Sequence, residues 1–498
     1  MNIIYCVSEL KDWIKVAKYF EKNKNWNPVL WSTTHKNHQY VEEAFPLTKH
    51  INFYDLNRGK VKYDSSRKKI SLDEKILSKY LKYEKISLKM MDRMDYNRYS
   101  FNYSERVQLY YNILEFILNS FNEYKPKKII FGESPHSIYH YLIYAVAIES
   151  NIKILRLSPT YIYGYTFLTS SIEDIPLYIQ KEYDKAKKLE TIDLKVEKYF
   201  KKTNDKYIKG KPYYMDEIIK NNQKSNTYKI LKSLTKSIRY FINNKPRYND
   251  YKMRDYSIMD TFSNQQLAKG ILNGTLFKIN LEKEYNKYVI KTLDNFNLND
   301  KFIYFPLHYQ PERTTSPEGN FFSDQYLAIN MLSQASNGKF KIYIKEHLSQ
   351  FFQKYEGEQG RTSDFYQQLS LLDNIVFIDK NVESFDLIDH SLSVATITGT
   401  AGFESVIRGK PAIVFGYPWY LNCEGVFQVT TNEMLLKAIH IIIDNPKLNS
   451  LNIKYFLQSI FNISNIIYLN PSNRDSVEGN YNNAESIIRL IENYELQI

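Results

Sequence analysis

Two grammars of hydrophobic and polar positions alternate along the chain. Residues 2–7 form a short apolar run. Trp13, Val16, Ala17 and Phe20 then recur at helical spacing, and 26–31 reads as extended. Residues 56–100 are polar, Lys-rich and expected to be helical, with no recognisable chemistry. From 104 to 122, Val107, Tyr110, Ile113, Leu114, Ile117 and Leu118 mark one face of a long helix. A buried-strand run at 128–131, a helix over 138–150 and a strand over 153–157 complete this part. Strand–helix–strand succession predicts a parallel sheet covered by helices.

The pattern changes over 172–280, where Gly is sparse, Lys is frequent and no strand is evident. This reads as a helical, Lys-rich insertion. Within it, 228–242 places Leu231, Leu234, Ile238, Phe241 and Ile242 on one face, with Lys229, Lys232, Lys236 and Arg239 off that stripe. An ordinary surface helix with a solvated basic face accounts for this. So does an interfacial helix on anionic lipid. Alternation then returns, with strands predicted at 302–306, 341–345, 375–378, 394–397 and 412–415 and helices near 323–335, 363–371, 383–389 and 401–409. Five short strands separated by helices predict a doubly wound parallel sheet. The expected class is α/β, with two Rossmann-like halves. The expected divisions are 1–170, 171–280, 281–460 and a helical C-terminal segment 461–498.

Composition narrows the function. A hydrophobic share of 43% and a charged share of 24% exclude a wholly disordered chain. The two cysteines, Cys6 and Cys423, cannot make a disulfide framework or a Cys-rich zinc site. No apolar stretch approaches the roughly 18 residues of a membrane span. The opening MNIIYCVSELKDW has no basic region and meets Glu9 early, so no secretory signal is expected and a cytoplasmic location is. The net charge of +12 is dilute over 498 residues and accompanies no nucleic-acid reader motif. An anionic membrane surface or an anionic polysaccharide explains it as well, and no nucleic-acid partner is expected.

In open α/β sheets, ligands bind beyond the carboxyl ends of the strands. After 302–306 come His308, Gln310, Glu312, Arg313, Thr314, Thr315 and Ser316. After 341–345, which ends in Lys345, come Glu346 and His347. After 394–397 come Thr398, Gly399, Thr400, Ala401, Gly402, Phe403, Glu404 and Ser405. A strand, then TGTAG, then a helix offers backbone N–H groups and hydroxyls to an anion, suited to a nucleotide phosphate. Thr400 could equally be a plain N-cap, and Glu404 either favours the helix dipole or accepts hydrogen bonds from a sugar or ribose. The motif is neither a Walker A loop nor a GxGxxG fingerprint. His347 is placed to stabilise charge on a departing phosphate. In the N-terminal half, Glu133 follows a strand and is the candidate general base, with His136 as substitute. Capping of a helix begun by Ser134 and Pro135 is the alternative for Glu133. No Asp-x-Asp, H-E-x-x-H or G-x-S-x-G occurs, so neither a catalytic metal nor another cofactor is expected.

The run FPLHYQPERTTSPEG from Phe305 to Gly319, Asp324-Gln325, Lys345-Glu346-His347 and TGTAGFESVIRGKPAIVFG from Thr398 to Gly416 closely resemble the capsule polysaccharide biosynthesis family, which includes bacterial Kdo transferases. The resemblance implies a GT-B glycosyltransferase: two Rossmann-like domains facing across a cleft, without a metal. It implies a nucleotide-sugar donor, in the Kdo branch a CMP-activated ulosonic acid. The Lys-Glu-His element is similar to the His-Pro motif of GT-B sialyltransferases, whose His contacts the CMP phosphate. That role would fall on His347, although Leu348 stands where the family has Pro. The Ser/Thr-rich turn of those enzymes would correspond to Thr398, Thr400 and Ser405.

The expected function is therefore a metal-independent transferase. It would move a CMP-linked Kdo or nonulosonic sugar to a glycan or lipid-linked acceptor, at the inner face of the cell membrane. A UDP-sugar transferase, a CDP-polyol phosphotransferase of teichoic-type polymers and a non-catalytic assembly scaffold are the alternatives.

Overall fold

In the computed structural model the chain forms two α/β units, each built on its own sheet. The structure describes residues 1–33, 38–52, 70–95, 101–160, 162–174, 177–190, 192–204, 218, 220, 223–242, 264–312, 314–352, 357–444, 448–469 and 482–497. The first unit comprises Met1–Met90, Tyr103–Thr191 and Tyr455–Ile498, and the second Met91–Asn102 and Ile192–Lys454. The insertion expected at 171–280 thus divides between the units, and the segment 461–498 falls with the first.

The first unit contains β1 (Asn2–Cys6), β2 (Asn27–Thr33), β3 (Lys49–Asn52), β4 (Lys128–Phe131), β5 (Lys153–Pro159) and β6 (Tyr165–Thr169). They lie in the order β6-β5-β4-β1-β2-β3, and the short strand Asn465–Ile466 pairs outside β6. β1 to β5 run parallel, while β6 is antiparallel to β5. The predicted spacing holds in the helix Asp12–Lys24, which buries Trp13, Val16, Ala17 and Phe20. Tyr5 stacks on Trp31 at 4.7 Å beneath that helix's side of the sheet. The strand order reverses between β1 and β4.

The second unit contains β7 (Phe302–Pro306), β8 (Lys341–Lys345), β9 (Ile375–Phe377), β10 (Ser393–Thr396), β11 (Ala412–Val414) and β12 (Val426–Gln428). The order β9-β8-β7-β10-β11-β12 is wholly parallel. It is the doubly wound order, and the chain reverses direction across the sheet between β7 and β10. Fully buried Ile303, Phe305, Ile342, Ile344, Ala395 and Ile413 build one face of its core. The helix Asn264–Lys291 seals that face with Leu281, Tyr285, Tyr288 and Val289. Tyr285 donates its hydroxyl to the Ile378 carbonyl at 2.5 Å and accepts the Glu346 N–H at 3.0 Å, tying the ends of β8 and β9 together.

These are the two Rossmann-like halves that the pattern predicts. Both cysteines are free and buried, as small hydrophobes would be. Among the described residues no helix is long and apolar enough to cross a membrane.

Candidate nucleotide-sugar site

The strand order reverses between β7 and β10, the place where open α/β sheets bind ligands, and the residues at these carboxyl ends are tied tightly to one another. His308, just past β7, accepts the Ile397 N–H at Nε2, at 3.2 Å, and the Thr396 hydroxyl at 2.8 Å. With Nε2 accepting, the proton lies on Nδ1, which donates to Glu312 Oε2 at 3.2 Å. Burial opposes ionisation of Glu312, but the His308 and Thr314 hydrogen bonds outweigh it and hold its carboxyl below the ordinary range. His308 is therefore a brace across the switch point, with both ring nitrogens engaged, and not a free ligand for a donor. Glu312 serves His308. Arg313 lies outside the described residues.

Gly399 completes the brace. A Cβ there would meet Thr396 Oγ1 at 2.8 Å and His308 Cε1 at 3.1 Å. Its N–H donates to Thr396 Oγ1 at 3.2 Å. Only a residue without a side chain lets the β10 end and the His308 ring come this close. The helix Thr400–Ile407 follows, with Gly399 at its N-cap and no side-chain cap, so its first N–H groups stand at the strand end. Thr398 Oγ1 is buried and has no hydrogen-bond partner. Thr400 is exposed, and its hydroxyl lies 3.4 Å from Glu404 Oε1. Ser405 turns inward, fully buried, and bonds the Gly402 carbonyl at 2.8 Å. It packs the helix from within.

Burial raises the Glu404 carboxyl to about 7, against the Thr400 hydrogen bond and the Arg408 charge. A carboxyl raised on folding stabilises the fold below its unfolded value and loses that contribution as pH rises through its folded value. Glu404→Gln is accordingly expected to flatten the fall of the thermal midpoint between pH 4.5 and about 7, read by scanning fluorimetry. An unchanged slope counts against the buried, protonated state.

Beyond β8 the layout separates three adjacent residues. Lys345 sends its ammonium to the Val382 carbonyl at 2.6 Å and Ser384 Oγ at 2.9 Å, in the turn after β9. Burial lowers its pKa to about 8. It braces that turn. Glu346 is buried and takes Arg361 Nε at 3.1 Å, Arg361 Nη2 at 3.2 Å, the Tyr366 hydroxyl at 2.6 Å and the His347 N–H at 2.8 Å. Arg361 Nη2 also reaches the His308 carbonyl at 2.7 Å. His347 accepts the Ser349 N–H at Nδ1, at 3.1 Å, which leaves the ring proton on Nε2. Burial lowers its pKa, so the ring is neutral and Nε2–H is a fixed donor. The Glu346 and Glu312 carboxylates oppose that shift, and His308 and Lys345 add to it. Since β8 and β10 flank β7, their ends lie about 10 Å apart by strand spacing.

In the first unit, Gly132 follows β4 at that sheet's own reversal point. A Cβ at Gly132 would crowd the Trp13 ring at 3.2 Å. Glu133 Oε1 and His136 Nε2 are 3.5 Å apart. The next helix begins only at Ile138, with Ser137 at its N-cap, so Glu133 does not cap a helix begun by Ser134 and Pro135. It pairs with His136 at the strand end. Among the described residues no three His, Cys, Asp or Glu side chains gather as metal ligands.

Arg361, Tyr366 and Thr396 are the members of the second-unit cluster that strand-end reasoning misses. Thr396 lies inside β10, and the other two come from the loop and helix after β8 with no periodic signal. The model of the capsule polysaccharide biosynthesis proteins matches residues 206–458, just over half of the sequence. The chain belongs to the capsule polysaccharide biosynthesis family. No curated protein sequence matches it. Among solved structures, this family member is similar to KpsC, beta Kdo 2,7 transferase, of Thermosulfurimonas dismutans. The identity is 14%, the coverage 76% of this chain and 89% of that one, and the TM-score 0.29. KpsC, beta Kdo 2,4 transferase, of the same organism gives 12%, 66%, 79% and 0.28. UDP-GlcNAc 2-epimerase of Methanocaldococcus jannaschii gives 11%, 92%, 99% and 0.25.

Proposed function

We propose that this member of the capsule polysaccharide biosynthesis family is a glycosyltransferase. On this reading it binds a nucleotide sugar at the switch point of its second unit and transfers the sugar to a glycan or lipid-linked acceptor. One observation carries the reading: the neutral His347 ring, locked by Ser349 so that it donates from Nε2, follows β8, and a Gly-rich turn leading into a helix N-terminus follows β10, the two strands that flank β7. Both are donor groups suited to a phosphate oxygen. The partnerless Thr398 hydroxyl adds a third. His308, Glu312, Thr396, Glu346 and Arg361 hold these groups in place and exclude water from beneath them.

On this proposal the phosphate bridges His347 and the turn at Thr398–Thr400, and Glu404 accepts a hydroxyl of the ribose or the sugar. Donation from His347 Nε2 stabilises charge on the leaving nucleotide, and the reaction needs no metal. Glu133 takes the proton of the acceptor hydroxyl, with His136 steering its carboxylate. The donor is a CMP-linked Kdo or nonulosonic sugar, carried over from the Lys345-Glu346-His347 resemblance. The enzyme works in the cytoplasm, at the inner face of the membrane where lipid-linked acceptors are presented.

Calorimetry with CMP, CDP, UDP and GDP, with chelator present, tests this. Binding of CMP in preference to the others is expected. A preference for UDP reassigns the donor, and silence with all four overturns the transferase reading.

A further inference from the structure

The helix Asn226–Ile242 is packed the wrong way round for a soluble surface helix. It rests on the helix Asn264–Lys291 through its polar side. Lys229, buried, pairs with Glu282 at 3.3 Å, Ser233 Oγ bonds the Ile271 carbonyl at 3.3 Å, and Ser237 Oγ bonds the Ala268 carbonyl at 2.9 Å. The apolar stripe faces outward. Leu231, Ile238, Phe241 and Ile242 are 56–69% exposed, and Leu234 is exposed beside them. At 3.6 residues per turn these side chains span an arc of about 100°.

Charge says what covers the face. Lys232 and Arg239 are exposed along one flank of the apolar arc, and Lys236 adjoins them on the same flank. At the amino end Lys224 lies 4.8 Å over the Tyr228 ring. The helix holds no acidic residue at all. An apolar face bordered by cations and free of carboxylates complements a surface that is oily and negatively charged. A partner protein groove offers the first property, but nothing here calls for it to be anionic along a whole flank. The helix has 17 residues and lies on its own protein along one side, so it lies on a bilayer and does not span it.

We infer that Asn226–Ile242 is an interfacial helix that seats the chain on an anionic lipid surface, its apolar face among the acyl chains and Lys232, Lys236 and Arg239 at the headgroups. Lys229, which the sequence groups with these cations, is excluded because it is buried and paired. The inference stands apart from the transferase reading, because vesicle binding and donor turnover can fail independently.

The test is flotation of the full chain with vesicles of phosphatidylcholine alone and of phosphatidylcholine mixed with phosphatidylglycerol. Binding to the mixed vesicles, weakening as salt is added, is expected. K232Q/K236Q/R239Q is expected to lower the partition coefficient on the order of 100-fold. L231Q/I238Q/F241Q is expected to remove binding. Five of the six substituted side chains are exposed, and glutamine at half-buried Lys236 keeps much of its length, so circular dichroism should be unchanged. Should the apolar variant misfold, the charge variant and the salt series decide alone. Equal binding to both vesicles, or indifference to the charge variant, overturns the inference. So does a dimer that the apolar variant dissociates while flotation persists, since the face would then be covered by a second copy.

Discussion

Replacing His347 with alanine is expected to lower donor turnover by about two to three orders of magnitude, the usual cost of losing one donor aimed at developing charge. The structural part of the loss is small. Only the Ser349 N–H loses its acceptor, at the start of a short turn, a cost of about 1 kcal/mol. A purely structural role would show the reverse: a lower thermal midpoint with turnover kept. His347→Gln retains an N–H donor on an arm of similar length that is less fixed, and should recover part of the rate. Because burial holds the His347 pKa below the ordinary histidine range, the ring is already neutral at neutral pH. Turnover should not decline through its deprotonation as pH rises past neutrality. A decline that H347Q abolishes would show that the protonated ring acts instead.

Arg361→Ala should be the most damaging change to stability in the second unit. The Arg361 and Glu346 side chains are 2% and 0% exposed, and the pair is joined through two nitrogens. Truncating the guanidinium leaves a carboxylate buried with only Tyr366 and one backbone N–H as donors. Breaking a buried pair from one side costs roughly 3–5 kcal/mol, which lowers the midpoint of this unit on the order of 10 °C. Removing both charges, as Arg361→Met with Glu346→Gln, should recover much of that loss, because no charge is then stranded. Differential scanning calorimetry of the three proteins decides it. The single variant matching the parent would mean that the pair is solvated.

Turnover should fall with the single variant beyond what unfolding explains, since Arg361 also holds the His308 carbonyl at 2.7 Å. His308 in turn joins the ends of β7 and β10. On the proposed reading the donor groups are few, and most of the conspicuous polar residues near them brace the strand ends.

That distinction marks what the sequence can show. The central strands of both sheets are legible because they are buried on both faces and read as continuous apolar runs. The edge strands β3 and β12 are not, since KHIN and VFQ are only four and three residues long and carry no alternation. β6 escapes for a different reason. It is wholly buried, but it is only five residues long and follows directly on the turn at Tyr163 and Gly164, with two threonines among its five residues.

Strand-end position points to His308, His347 and the TGTAG turn, yet it cannot say which ring nitrogen is engaged by the chain itself. His308 and Lys345 prove to be spent on their own chain, and His347 does not. Arg361 follows a loop without period, and only the fold brings it under His308. The stripe at 228–242 has the spacing of a buried face. Ser233 and Ser237 let the opposite side lie against its neighbour, and the stripe is left outward.

Turnover of CMP-Kdo, CMP-linked sialic-type sugars and a UDP-sugar panel by the purified chain, in the presence of EDTA, tests the central claim most directly. CMP should be released from a CMP-sugar, and H347A should slow that release by about two to three orders of magnitude. Silence with every donor, or a phosphodiester in the product, would contradict it.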